Sequence, residues 1–318
     1  MRWDMRFFKN PNINFLKYRK LFVNLSITLS IVCIITTVTV GVEYGIDFAG
    51  GTEIAITVSK PLPTDKIRNV VTNSGLTGVE IKSFGKDNQF LIRTIESANA
   101  SEIISNALSQ AFPNEKITIM KVDKIGPKIG SELRIQAFWA VLLAVIVILI
   151  YLAFRFEFIF GLGAIVALVH DVILTFTIAV TLNNLGIFNL EVNLSILAAM
   201  LTVVGYSVND TVIIFDRIRE NKERHKGMNF IKLANLSINE TLSRTINTVG
   251  TTLLALLSLF IFGGPVLQGF ALIMIIGIIL GTYSSVYIAS AFVIWYLEKI
   301  KKIDLESGFR EVIGAKTE

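Results

Sequence analysis

Apolar positions gather into six long runs, near residues 21–42, 136–154, 158–182, 193–215, 243–262 and 269–297. Crossing a hydrocarbon layer of roughly 30 Å takes about 20 residues of α-helix, so each run predicts a transmembrane span. The first run follows Arg2, Arg6, Lys9, Lys17, Arg19 and Lys20, as a signal peptide would. It is too long for a signal-peptide core, however, and T-V-T-V-G-V ends it without an A-x-A-like cleavage site, which predicts a retained anchor.

Between the first two runs the period changes. T-E-I-A-I-T-V from Thr52 alternates as a strand does, and Thr64 and Asp65 behind Pro63 open a helix that stops at Asn73-Ser74-Gly75. V-E-I-K-S-F from Val79 and Q-F-L-I-R-T from Gln89 read as strands around the turn G-K-D-N. A helix with Ile103, Ile104, Ala107, Leu108 and Ala111 on one face ends before Pro113, and I-T-I-M-K-V from Ile117 forms the last strand. The order βαββαβ predicts a ferredoxin-like domain. The expected fold class is therefore an α-helical polytopic membrane protein of six transmembrane helices, with one ferredoxin-like α+β domain between the first and second spans.

Composition agrees with a membrane protein: 53% of the 318 residues are hydrophobic and 17% charged, with a mean hydropathy of +0.62. The net charge of +5 is no nucleic-acid footprint, because the basic residues collect at the ends of apolar runs. A single cysteine, Cys33, excludes a disulfide framework or a Cys-based zinc site within one chain. Lys and Arg crowd the head, Arg155, the connection after the fourth span (Arg217, Arg219, Lys222, Arg224, Lys226, Lys232) and the tail (Lys299, Lys301, Lys302). N-N-L-G-I-F-N-L-E-V-N and F-G-G-P-V-L-Q-G carry neither. The positive-inside rule then predicts a cytoplasmic N-terminus (1–20), a first span (21–42), an outward domain (43–135), a five-helix bundle (136–297) with a cytoplasmic loop at 216–242, and a cytoplasmic tail (298–318).

Ionisable residues inside spans cost roughly 2.5–3.5 kcal/mol at a helix centre, and so tend to be paired or functional. Asp210 lies about 8 Å from Phe215 along the helix at ~1.5 Å per residue, and shares a face with Tyr206 and Ser207. In the fifth run Arg244, Asn247, Thr248 and Thr251 form a polar stripe at i, i+3, i+4 and i+7. Arg244 reads either as an ion-pair partner of Asp210 or as an anchor snorkelling to the headgroups. His170-Asp171 sits near the middle of the third run, and Asp171 either joins a polar network with Asp210 or bonds to a neighbouring helix. Gly277, Gly281, Ser285 and Ala289 make a small-residue stripe that lets another helix approach closely.

Hydrolase chemistry has little support. The aspartates lack a G-x-G-D context, and G-Y-S-V-N around Ser207 lacks G-x-S-x-G. Neither a P-loop nor H-E-x-x-H occurs, and no cofactor or metal is expected.

Four motifs carry a resemblance that runs from end to end: G-I-D-F-A-G-G-T (Gly45 to Thr52), I-G-P-K-I-G-S-E-L (Ile125 to Leu133), A-L-V-H-D-V (Ala167 to Val172) and G-Y-S-V-N-D-T-V-I-I-F-D-R-I-R-E-N (Gly205 to Asn221). With them the chain resembles the SecF branch of the bacterial SecD/SecF family, in the resistance-nodulation-division superfamily. The resemblance implies a non-enzymatic subunit of the inner membrane that pairs with SecD into a twelve-span unit. That unit works with the SecYEG channel and the SecA motor, with YajC and YidC as further candidate partners, and uses the proton gradient to help unfolded preproteins through late export. It also implies a proton relay at Asp210 and Arg244, supported by Asp171, His170, Ser207, Asn247 and Thr248. Coupling of domain to membrane would run through Asp47, Phe48, Gly50, Gly51, Thr52, Gly126 and Gly130. The competing readings are a half-size proton-coupled exporter of small molecules or lipids from the same superfamily, and a scaffold with no proton chemistry.

Overall fold

A computed structural model describes residues 11–84, 86–95, 99–303 and 305. Arg2, Arg6 and Lys9 of the basic head, and residues 306–318 of the expected tail, lie outside them. A 3₁₀ turn at Phe15–Tyr18 leads into α1 (Arg19–Val40). A four-residue helix, α2 (Ile46–Ala49), precedes the small domain of β1 (Gly51–Val58), α3 (Thr64–Thr72), β2 (Glu80–Phe84), β3 (Lys86–Thr94), α4 (Ala100–Ala111) and β4 (Ile117–Ile125). Long helices follow: α5 (Pro127–Arg155), α6 (Phe158–Asn184), α7 (Leu194–Arg224), α8 (Phe230–Phe262) and α9 (Gly264–Ser284). Beyond α9 the last helix widens to π geometry at Ser285–Ala289, returns to α10 (Ser290–Trp295), and widens again at Tyr296–Ile300. Among the described residues, six helices are long and apolar enough to cross a membrane.

The sheet has the order β2-β3-β1-β4 with every pair antiparallel, the ferredoxin-like arrangement. Alternation along β1 and β3 sends Ile54, Ile56, Phe90 and Ile92 to one face, where Ile67 and Val71 of α3 and Ile104 and Leu108 of α4 close the core. The other face, with Glu53, Ala55, Leu91, Lys121 and Asp123, overlooks the bundle across a cavity of about 160 Å³. The expected turn G-K-D-N is shorter than its letters: Phe84 pairs with Lys86, so Lys86, Asp87 and Asn88 belong to β3.

The helices overrun their apolar runs. The expected loop at 216–242 is mostly a helical hairpin with a turn at 225–229, because Glu220 pairs along α7 with Arg217 and Arg224, and Arg217 crosses to Glu240. Asn229 starts α8 by accepting from the amides of Ile231 and Lys232.

The bundle holds two apolar clusters. One, at the end far from the domain, gathers Leu16, Leu152, Phe160, Phe215, Ile218 and Phe230; the other, at the domain end, gathers Leu190, Ile196, Val203, Ile273 and Ile278. The small-residue stripe does its packing against α7 and α6. A Cβ on Gly277 would fall 2.2–2.9 Å from Val203, Gly281 abuts Ser207, Ser285 hydrogen-bonds Thr211 at 2.8 Å, and the Ala289 carbonyl lies against Gly163.

Candidate functional site

Asp210 is buried in α7, and its carboxylate receives one hydrogen bond among the described residues, from the Thr282 hydroxyl of α9 at 3.2 Å. Beside it is a cavity of about 10 Å³ lined by Ser207, Asn209, Thr248, Gly281 and Thr282, room for about one water. The carboxylate thus keeps spare acceptor capacity next to a water-sized space.

Asp171 is the contrast. It is fully buried, and Ser207 of α7 and Ser284 of α9 donate to Oδ2 at 2.5 and 2.6 Å while His170 Nδ1 meets Oδ1 at 2.9 Å. On its far side His170 Nε2 lies 3.0 Å from Ser26 Oγ of α1, Ser26 lies 2.9 Å from the Tyr283 hydroxyl, and Tyr283 donates to the Phe22 carbonyl at 2.7 Å. One chain of polar contacts therefore ties α1, α6, α7 and α9 together in an otherwise apolar interior. Ser207 and the Gly281–Ser284 turn separate Asp171 from Asp210, so the two carboxylates share walls without touching the same donors.

Of the polar stripe on α8, Thr248 reaches the Asp210 cavity, while Arg244 and Thr251 are exposed on the bundle surface. Arg244 is near enough for its charge to act on Asp210, but the two are outside ion-pair distance. The expected contact is thus a proximity here rather than a salt bridge. Asn247 lies on the same helix, half-buried.

Asp47, Phe48, Gly50, Gly51, Thr52, Gly126 and Gly130 lie together in a compact joint between domain and bundle. Gly51 takes φ +120°, and a Cβ there would sit 2.6 Å from the Thr94 carbonyl. Gly130 of α5 comes so close that its Cβ would lie 3.1 Å from the Gly50 amide. Phe48 and Thr52 are buried, Gly126 caps α5, and Arg134 donates to the Phe48 carbonyl at 2.5 Å. Asp47 Oδ2 accepts the Leu194 amide of α7 at 2.8 Å.

Sequence reading missed Thr282, Ser284, Ser26 and Tyr283. The cluster T-Y-S-S at Thr282–Ser285, in a run that is otherwise apolar, is the signal that could have found three of them.

The family described as "Protein export membrane protein SecD/SecF, C-terminal" matches residues 103–299, and "SecD/SecF GG Motif" matches residues 36–62. The protein translocase subunit SecF of Rhodothermus marinus is 42% identical over 91% of this chain and 95% of its own length. That of Calditerrivibrio nitroreducens is 43% identical over 92% and 96%. The crystal structure of SecDF, a translocon-associated membrane protein from Thermus thermophilus, matches with a TM-score of 0.81 at 34% identity, covering 91% of this chain and 39% of that longer one. A SecDF structure in a super-membrane-facing form matches at 0.66 with the same identity over 92% of this chain. Matched at over 40% identity across more than nine-tenths of its length, the chain belongs to the SecF family of protein translocase subunits.

Proposed function

We propose that this chain couples proton movement to preprotein export as the smaller partner of a SecD-type subunit, in the bacterial inner membrane with both termini cytoplasmic and the small domain periplasmic. The observation that carries the reading is Asp210, a buried carboxylate held, among the described residues, by a single hydroxyl beside a water-sized cavity. Moving one proton down a gradient releases about 2.3 kcal/mol per 100 mV, enough to bias a conformational step more than tenfold. In this scheme Asp210 takes up and releases the proton, Arg244 responds to its charge, and Asp171 with His170 and Ser207 holds the helices around it.

Exposure of Arg244 on a bundle surface favours a heteromeric complex. An arginine facing lipid is costly away from the headgroups, whereas a partner helix supplying an acid or a water path would accept it. SecYEG, SecA, YajC and YidC, and the unfolded preprotein itself, would engage the assembled unit.

The test uses proton-tight vesicles carrying the complex and the translocation channel. Asp210→Asn is expected to abolish the gradient-dependent part of export while leaving the ATP-driven part intact. Full gradient dependence in that variant would remove the relay role, and would favour a scaffold. Arg244→Lys is expected to retain more of the effect than Arg244→Ala.

A further inference from the structure

Domain and bundle do not share an apolar core: the domain closes its own around Ile54 and Phe90, and the bundle clusters lie elsewhere. What joins them is polar. The segment after α1 pairs with the connection between α6 and α7, with the Val192 amide donating to the Glu43 carbonyl at 2.9 Å and the Gly45 amide to the Val192 carbonyl at 3.0 Å. Around that bridge Glu191, only 4% exposed, is gripped by Arg93 of β3 and by Lys82 of β2 at 2.7 Å. Lys82 also reaches Glu43 at 2.5 Å, and Asn183 of α6 donates to Glu43 at 2.9 Å.

Two residues past Gly45, Asp47 meets the first amide of α7. Leu194 opens that helix, Asn193 already serves the Ile196 amide at 2.8 Å, and Asp210 lies on the same continuous helix sixteen residues on. An acid over a helix N-terminus satisfies an orphan amide and complements the helix dipole. The same α2 is held from the other side by Arg134 and Gly130 of α5.

We infer that Asp47 is the positioning residue through which the outward domain reads the state of α7: its carboxylate engages the α7 N-terminus when the domain is docked, and the Glu191 ion-pair cluster keeps it docked. The inference rests on the proposed role of Asp210, because α7 is then the helix that shifts with proton uptake. An interface made of hydrogen bonds and ion pairs around a cavity can part and re-form, unlike an interlocked apolar one. The two solved SecDF forms, equal in identity to this chain and almost equal in coverage, differ in TM-score by 0.81 against 0.66, so corresponding parts are arranged differently in the two.

The experiment places spin labels at Ser109→Cys on α4 and Leu185→Cys at the end of α6, in a Cys33→Ser background, in the complex with its SecD-type partner in proton-tight vesicles. The inter-label distance is read with and without a gradient, alongside proton uptake. The parent is expected to show a gradient-dependent shift. Asp47→Ala should lose the shift while proton uptake persists, and Asp47→Asn, which keeps an oxygen acceptor over the same amide, should restore it. A parent-like shift in Asp47→Ala overturns the inference and leaves the role of Asp210 standing. A parent-like shift in Asp210→Asn instead removes the proton-coupled reading on which the inference rests.

Discussion

The two aspartates of the bundle interior are both buried but held in opposite ways, and that difference fixes what each tolerates. Asp171 meets Ser207, Ser284 and His170 at once; Ser284 also reaches the Gly281 carbonyl, so removal of Asp171 leaves Ser207 Oγ and His170 Nδ1 without their partner in a buried site. Each stranded polar group costs about 1–3 kcal/mol. Asp171→Leu is therefore expected to destabilise the bundle by roughly 2–4 kcal/mol, seen as a lower midpoint of thermal unfolding in detergent. Asp171→Asn should lose less, since one amide oxygen can still accept from both serines. Asp210 gives up one bond from Thr282, which an amide oxygen also accepts, so Asp210→Asn should unfold at the parent temperature or above it. Equal destabilisation by Asp171→Leu and Asp210→Asn would contradict this division of labour. The sequence made both acids visible, because a charge in an apolar run stands out against a cost of several kcal/mol. It did not separate them, because their donors come from other helices.

At the scale of elements, the contact of α7 with α9 positions Thr282 over Asp210, and within it Gly277 leaves no room for a Cβ beside Val203. Val203 is fully buried and stiff at χ1, so it has little room to yield to a new methyl group. Gly277→Ala should cost about 1–3 kcal/mol by overpacking, despite the gain in helix propensity. Adding Val203→Ala should recover part of it, a non-additivity that a thermal-unfolding double-mutant cycle measures. If the two substitutions simply added, the contact would not be the constraint on this helix pair. The small-residue stripe showed this packing face from spacing alone, as apolar runs showed the six helices and alternation showed the sheet. Periodicity reports how a segment meets its surroundings, and so it follows apolar surface well. It could not show that α7 and α8 continue past the runs, where ion pairs rather than burial support the helix. Nor could it show α2, whose four residues are held by Gly130, Arg134 and Leu194 from distant parts of the chain.

At the scale of the whole molecule, the polar joint makes docking of the domain a matter of charge, and charge depends on pH. Glu43 faces Lys82 and Asn183, with Arg93 nearby. Burial opposes its ionisation, but the hydrogen bonds from Lys82 and Asn183 and the positive charges outweigh it and hold Glu43 below its ordinary 4.5. Lys82 is likewise partly buried, yet Glu191 and Glu43 raise it above its ordinary 10.5. Glu53 runs the other way: burial exceeds the help from Arg93 and pushes it up, so its contribution fades as pH rises through that higher value. An acid whose value is lowered by docking contributes above its free value and loses that contribution as pH falls through the docked one. A raised lysine contributes below 10.5 and loses its contribution only above it. The Glu43–Lys82 pair should thus hold the domain across neutral and alkaline pH and release it in acid, below about 4.5. In the spin-labelled complex without a gradient, the inter-label distribution is expected to stay narrow from neutral pH down to about 5 and to broaden below 4.5. Glu43→Gln removes the titrating charge, so its distribution should already be broader at neutral pH and should change less in acid. Acid broadening of undiminished size in Glu43→Gln would rule out Glu43 as the group whose protonation releases the joint.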